Sequence, residues 1–182
     1  MTVKNLIELI QSSAPELGET LCLIEINKAQ KEFVNATGIL RDEETFDFDA
    51  FSDGSITLTG TPTEILKVEL VSLTRSFKVP FERDGQTITF DTALLNLGTF
   101  TALNIAYRKD AGTIDALTDE LEIPEQFQEA IAWRVLWKAG LRGSKERIIF
   151  YKSEWKEAVR DAKIYANVQS GSRTINFEQY GF

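Results

Sequence analysis

The spacing of apolar and polar residues changes twice along this chain. From Thr2 to Gln11, residues Leu6, Ile7 and Ile10 fall on one side of a short helix, which Pro15 and Gly18 interrupt. From Leu17 to Thr37 the helical period resumes. Cys22, Ile26, Ala29 and Phe33 make one apolar stripe, and Gly38 supplies a stop. At Asp42 the period shortens to two. "TFDFDAF" alternates aromatic and acidic residues as a half-buried strand does, and "SITLT", "ILKVELVSL", "SFKVPF" and "TALNIAY" read as further strands. Asp84-Gly85 in "FERDGQTITF" marks a tight turn between two strand-like flanks. About six strands between Thr45 and Tyr107, joined by short turns, predict an antiparallel sandwich or barrel.

Beyond Thr113 the helical period returns. "LEIPEQFQEAIAW" reads as a strand, a stop and a helix. Pro124 suits a first helical turn, where its missing N–H costs nothing, and Glu125 and Glu129 lie near the positive end of the helix dipole. The helix runs to about Ala139. Phe127, Ile131, Trp133, Val135, Leu136 and Trp137 make it apolar nearly all round, which predicts the central, most buried helix. Gly140 and Gly143 end it, and Ser144 is placed to cap the next. That helix, from Lys145 to about Val168, sorts into three sectors at about 100° per residue. Ile148, Tyr151, Trp155, Ala158, Val159, Ala162, Tyr165 and Ala166 form an apolar one. Lys152, Lys156, Arg160 and Lys163 form a basic one, and Glu154, Glu157 and Asp161 an acidic one. The apolar sector is expected to pack on the preceding helix, with Phe33, Phe127, Trp133, Trp137 and Trp155 as core anchors. After Ser170 the chain reads as an extended arm ending in aromatics.

The pattern as a whole predicts an α+β chain. A helical bundle, built from N-terminal helices (1–40) and a C-terminal helix pair (113–168), is interrupted by a β-sandwich or barrel-like insertion (41–112) and followed by an extended arm (169–182).

Composition narrows function more than fold. The 182 residues include no histidine, which removes Ser-His-Asp and Cys-His catalysis, histidine acid–base work and most zinc sites. Phosphate-loop, dinucleotide-binding, EF-hand and zinc patterns are absent, so neither an enzyme nor a cofactor is expected. The acid-rich "DEETFDFDAFSDG" does not match the EF-hand spacing. On a strand Asp47 and Asp49 would share a solvated face. The single cysteine, Cys22, has apolar neighbours and is expected to be a buried small hydrophobe. No apolar run is long enough for a membrane span, and the first residues read as a helix, not a secretory signal.

The net charge of −8 argues against a protein that coats nucleic acid. Its distribution is uneven: Lys109–Glu129 holds seven acids and one base, whereas Ala130–Lys163 holds nine bases and four acids. On the last helix Lys152, Lys156 and Arg160 line up with one another, as do Glu157 and Asp161. Each like-charged row is unfavourable alone and would be relieved by the opposite row of a second copy. Such a contact is head to tail and closes into rings or continues as filaments.

Three stretches carry a resemblance. "LIEINKAQKEFVNATGIL" presents Asn-x-Ala-Gln-x-x-Phe before a Gly-Ile-Leu stop. "LNIAYRKDAGTIDALTDELEIPEQFQEAIAWRVLWKAG" returns from the β region into a Leu-x-x-Pro-Glu-x-Phe-x-x-Ala-Ile helix. "FYKSEWKEAVRDAKIYANVQSGSRTI" is a long helix with an aromatic start and a basic stretch. In these the chain resembles the head-to-tail connector (adaptor, or neck) proteins of tailed bacteriophages. The resemblance covers roughly half the chain. It implies a structural virion protein made in the bacterial cytoplasm, which forms a ring, usually of twelve copies, between the portal and the tail. Genomic DNA would pass through the ring without sequence-specific binding. By position, the arm residues Arg173, Ile175, Phe177, Tyr180 and Phe182 would dock on the portal, and the last helix would supply contacts between subunits. The β region would face outward or meet the next neck or tail ring. A reading without the resemblance is a non-enzymatic binding module, in which the β region recognises a glycan or a protein and the helices are its scaffold.

Overall fold

Thr2 begins the first helix by accepting a hydrogen bond from the Asn5 N–H at 3.4 Å, and α1 (Val3–Ser13) buries Val3, Leu6, Ile7 and Ile10. The second, α2 (Glu19–Thr37), buries the expected stripe of Cys22, Ile26, Ala29 and Phe33. Gly38 closes it in the left-handed conformation (φ 60°), with its N–H donating to the Val34 carbonyl. The computed structural model describes residues 1–140 and 145–169. It is a mixed helix-and-sheet protein whose sheets are antiparallel. The chain divides into two units: Met1–Leu40 together with the described residues from Ala111 on, and Arg41–Asp110.

In the helical unit, α4 (Gln128–Lys138) follows a 3₁₀ turn at Glu125–Phe127, and α5 runs Lys145–Gln169. The strand expected before Pro124 is not formed. Leu121 and Ile123 are buried, but their carbonyls accept from the Gln128 side-chain amide at 3.4 and 3.0 Å instead of joining a ladder. Nearby, Thr2 and Glu120 make one isolated bridge. The Asp119 and Leu117 carbonyls accept from the Val3 and Lys4 N–H groups, and other parts of the returning segment are held by side-chain amides. Asn27 accepts from the Ile114 N–H at 2.8 Å and donates to its carbonyl at 2.9 Å, and Gln30 donates to the Gly112 carbonyl at 3.2 Å. Buried backbone groups must find partners, and α2 supplies them from the "NKAQ" stretch.

One aromatic chain ties the unit together. Trp155 meets Phe33 edge-on at 5.4 Å, Phe33 meets Phe127 at 6.0 Å, and Phe127 meets Tyr165 at 5.7 Å. Phe33, Phe127 and Trp155 are buried. Trp133 and Trp137 only pack against the core from its margin and are half-exposed. The fourth helix is therefore not apolar all round. Ala130, Ile131, Ala132, Val135 and Leu136 face the core, and the tryptophans, one turn apart, share a flank with Arg134.

The β unit contains seven strands among the described residues: β1 (Arg41–Asp47), β2 (Ser55–Thr57), β3 (Pro62–Val71), β4 (Ser76–Lys78), β5 (Glu82–Asp84), β6 (Thr87–Thr89) and β7 (Ala102–Lys109). They form a four-stranded sheet in the order β1-β7-β3-β4 and a three-stranded sheet in the order β2-β6-β5. One buried cluster draws on both, with Ile56 and Ile88 from the smaller sheet and Val68, Leu70, Leu103 and Ile105 from the larger. "TFDFDAF" departs from the strand expected of it. Its first part ends β1 at Asp47, and Phe48–Phe51 is a single helical turn, α3. That turn buries Phe51 completely and sets Phe48 edge-on against it at 5.3 Å, so Asp47 and Asp49 do not share a strand face. The tight turn between β5 and β6 is Gly85-Gln86, not Asp84-Gly85. Asp84 pairs with Thr87 as the last residue of its strand, and Gly85 alone takes positive φ (57°).

Tyr107 is almost fully buried, and its hydroxyl donates to a Glu44 oxygen at 2.6 Å. The same carboxylate accepts from the Thr59 and Gly60 N–H groups at 3.0 and 3.1 Å. Burial raises the Glu44 pKa, but bonds from the Thr59 N–H, the Tyr107 hydroxyl and the Gly60 N–H outweigh it, and the net shift is down. Burial, then the bond to Glu44 and its charge, push Tyr107 well above its ordinary value of 10.0. The signs give two limits. A depressed carboxylate stabilises above its ordinary pKa of 4.5 and loses that contribution as pH falls through its folded value. A raised phenol stabilises fully below 10.0 and loses its contribution as pH climbs above that. Urea titrations across pH should show β-unit stability falling on both sides. Tyr107→Phe should flatten the alkaline limb and Glu44→Gln the acid one. A wild-type alkaline limb retained in Tyr107→Phe would contradict this assignment.

Candidate functional site

The fourth helix sets one charged, aromatic face. Arg134 and Lys138 are four residues apart on it, so both reach the Trp137 indole. The Arg134 guanidinium carbon lies 4.8 Å from the ring centroid and the Lys138 ammonium 4.9 Å. Lys152 reaches across from α5 to the same ring at 5.4 Å, and Arg134 also stands 5.8 Å from Trp155. Three cations thus converge on one half-buried indole. Arg134 is mostly buried and paired with Glu32 of α2, while its Nε is buried without a hydrogen-bond partner. Neither Lys138 nor Lys152 is in an ion pair among the described residues.

Each cation–ring contact contributes about 0.5–1 kcal/mol at such exposure. The C-terminal end of α4 also favours positive charge. The dipole explains a lysine at this end. It does not explain why a third cation from another helix joins the same ring, since like charges held together repel. In a chain of net charge −8 this concentration of positive charge is a local exception.

The charged sectors expected on the last helix are present, and they behave unequally. Lys152, Lys156, Glu157 and Asp161 are exposed, and Glu154, Arg160 and Lys163 are half-buried. Arg160 donates to Glu157 and to Asp161 of the same helix, each at 3.2 Å, so part of the two rows is neutralised within one chain. Helical spacing put Arg160 in a different sector from those acids, but its long side chain reaches sideways to them. Lys156, Lys163 and Glu154 have no ion partner among the described residues. The arm residues Arg173, Ile175, Phe177, Tyr180 and Phe182, and the Leu141–Ser144 turn, lie outside the described residues.

The segment that leads into α4 is negatively charged. Asp115, Glu120, Glu122, Glu125 and Glu129 are exposed, and none is in an ion pair among the described residues. Asp119 accepts from the Ala116 and Asp115 N–H groups, which hold its carboxyl below the usual range. Beside it lies a groove of about 270 Å³ lined by Gln30, Gly112, Thr113, Ile114, Asp119, Glu120 and Glu122. Gln30 is 1% exposed, and its carbonyl oxygen has no hydrogen-bond partner. Cys22 offers no chemistry to either face: it is fully buried, and burial, helped by the Glu19 charge, pushes its thiol up.

Sequence reasoning singled out Trp137 and Lys152 but not Arg134 and Lys138. The signal was present, since Arg134 and Lys138 flank Trp137 at offsets of three and one. It was masked by the expectation that this helix is buried all round. No protein-family model matches the chain, and no characterised protein does. Among the described residues no helix is long and apolar enough to cross a membrane.

Proposed function

We propose that this protein is a structural, non-enzymatic component of a tailed-phage neck. It forms a ring beneath the portal, made of a helical bundle with a β-sandwich insertion in each copy. One observation carries the reading. The helical unit is assembled from both ends of the chain around a single core, and Arg41–Asp110 is inserted between them as a unit with its own core. That is the layout implied by the likeness to connector proteins. Two further features support it. Asn27 and Gln30, the two amide residues of the "NKAQKEF" stretch, hold the backbone that returns from the insertion. In the β unit, Leu73 in the β3–β4 turn and Phe77 are exposed, which suits a contact with a neighbouring ring protein.

In this reading the arm from Gln169 onward docks on the portal, the α4–α5 faces meet sister copies, and the net negative charge lets DNA slide without sticking. The test is a chain ended at Val168. It should keep the helical circular-dichroism signal of the full chain and lose co-sedimentation with isolated portal rings. Undiminished docking by the shortened chain would remove the arm from this role, and failure of the full chain to dock would overturn the neck assignment.

A further inference from the structure

We infer that the lysine face around Trp137 of one copy seats in the acidic groove at Gly112–Glu122 of the next. This rests on the ring reading above and names the surfaces that close the ring. Both surfaces belong to the helical unit, and they share no residue: the groove is lined by Gln30 of α2 and by the segment Gly112–Glu122, the basic face by α4 and α5. Arg134 is met by Glu32 of its own chain, but among the described residues Lys138 and Lys152 have no ion pair, and neither do Glu120 and Glu122.

Each surface has a feature that its own chain leaves unused. The basic face gathers three cations on one ring; Glu32 meets Arg134, and an incoming carboxylate relieves the repulsion of the two lysines. The acidic groove of about 270 Å³ has room for a lysine head and is lined by three carboxylate residues and by Gln30, whose buried carbonyl oxygen lacks a donor. An ammonium supplies three donors and no acceptor, which is what this groove needs. The half-buried Trp137 adds apolar area beside the charges, as contact residues at protein interfaces do. Because the two surfaces differ, the contact is head to tail, and repeated around an axis it closes a ring. The row of Lys156 and Arg160 is less suited to the task, because Arg160 already meets Glu157 and Asp161.

The test is a charge swap in the full chain. Lys138→Glu/Lys152→Glu makes both surfaces acidic, and Glu120→Lys/Glu122→Lys makes both basic. All four positions are exposed. Self-association is read by sedimentation equilibrium. The wild type should associate, and more weakly as salt rises. Each variant alone should associate about a hundredfold more weakly, because like charges now face each other. An equimolar mixture of the two should recover the wild-type mass, since each supplies the surface the other lacks. A monomeric wild type, a variant that associates as well as the wild type, or a mixture without recovery would overturn the pairing. So would binding of a DNA duplex by the wild type that Lys138→Glu/Lys152→Glu loses while self-association is unchanged, because the face would then belong to nucleic acid. A ring that docks on the portal but ignores the swap sinks the pairing alone. A swap-sensitive ring that fails to dock sinks the neck reading alone.

Discussion

Phe33→Ala is expected to destabilise the helical unit by about 3–5 kcal/mol, the range for a large aromatic removed from a packed core. Phe33 is fully buried and stands in the middle of the aromatic chain, against Trp155 on α5 and Phe127 at the start of α4. Its removal takes away two ring contacts at once and opens a cavity where three helical segments meet. Neither neighbour can swing in to fill it, because Phe127 is also held by Tyr165 and Trp155 lies beneath Arg134. Whole domains are stable by only about 5–15 kcal/mol, so this one change consumes a large share. All three tryptophans lie in the helical unit, so their fluorescence reports it selectively. In urea the midpoint should drop sharply with the slope unchanged. A loss below about 1 kcal/mol would mean that Phe33 is not central to this core.

Gly60→Ala is the corresponding lesion in the β unit. A Cβ at Gly60 would overlap the Tyr107 hydroxyl oxygen and crowd the ring carbon that bears it at 3.0 Å. The tyrosine cannot yield easily: it is buried on β7 and bonded to Glu44, which in turn holds the Thr59–Gly60 backbone. Alanine must therefore shift the turn or expel the hydroxyl from its carboxylate. Overpacking of this kind costs about 1–3 kcal/mol. A displaced hydrogen bond to a charged group adds about 1.5–3 kcal/mol. Gly60→Ala/Tyr107→Phe is the control. Removing the hydroxyl removes the closest clash, so the double variant should be more stable than Gly60→Ala alone. Two effects that simply add would show that the glycine and the tyrosine do not interact.

Much of the helical unit is legible from local rules. Apolar residues three and four apart marked the buried sides of α1 and α2, and Gly38 marked the end of α2, because helix periodicity and capping depend on near neighbours in sequence. The β unit was readable as alternating strands but not in its details. Phe48 continues the alternation of β1 while Phe51 falls out of phase with it, and the helical step carries Phe51 into the cluster shared by the two sheets, against Phe90. The misread segment before Pro124 has the same origin. Leu121 and Ile123 alternate like a strand, yet the bonds that satisfy their backbone come from Gln128 of the following helix.

The candidate site was the least legible part. Charge counts along the chain located an acidic stretch and a basic stretch, and helical spacing proposed which basic residues matter. That spacing cannot say which side chains find partners. Arg160 was assigned to an outward row and is met by Glu157 and Asp161. Arg134 and Lys138 were passed over and converge with Lys152 on Trp137.

The sequence by itself determined the mixed helix-and-strand make-up, the ends of most helices, the lack of histidine chemistry and the polarity of charge, since each is set by residue type and short-range spacing. Only the tertiary structure decided how Asn27 and Gln30 bind a segment more than 80 positions away, which tryptophans are buried, and which cations stand unpaired. Those outcomes depend on long-range packing, where the desolvation of each polar group is settled by neighbours that a linear pattern does not contain.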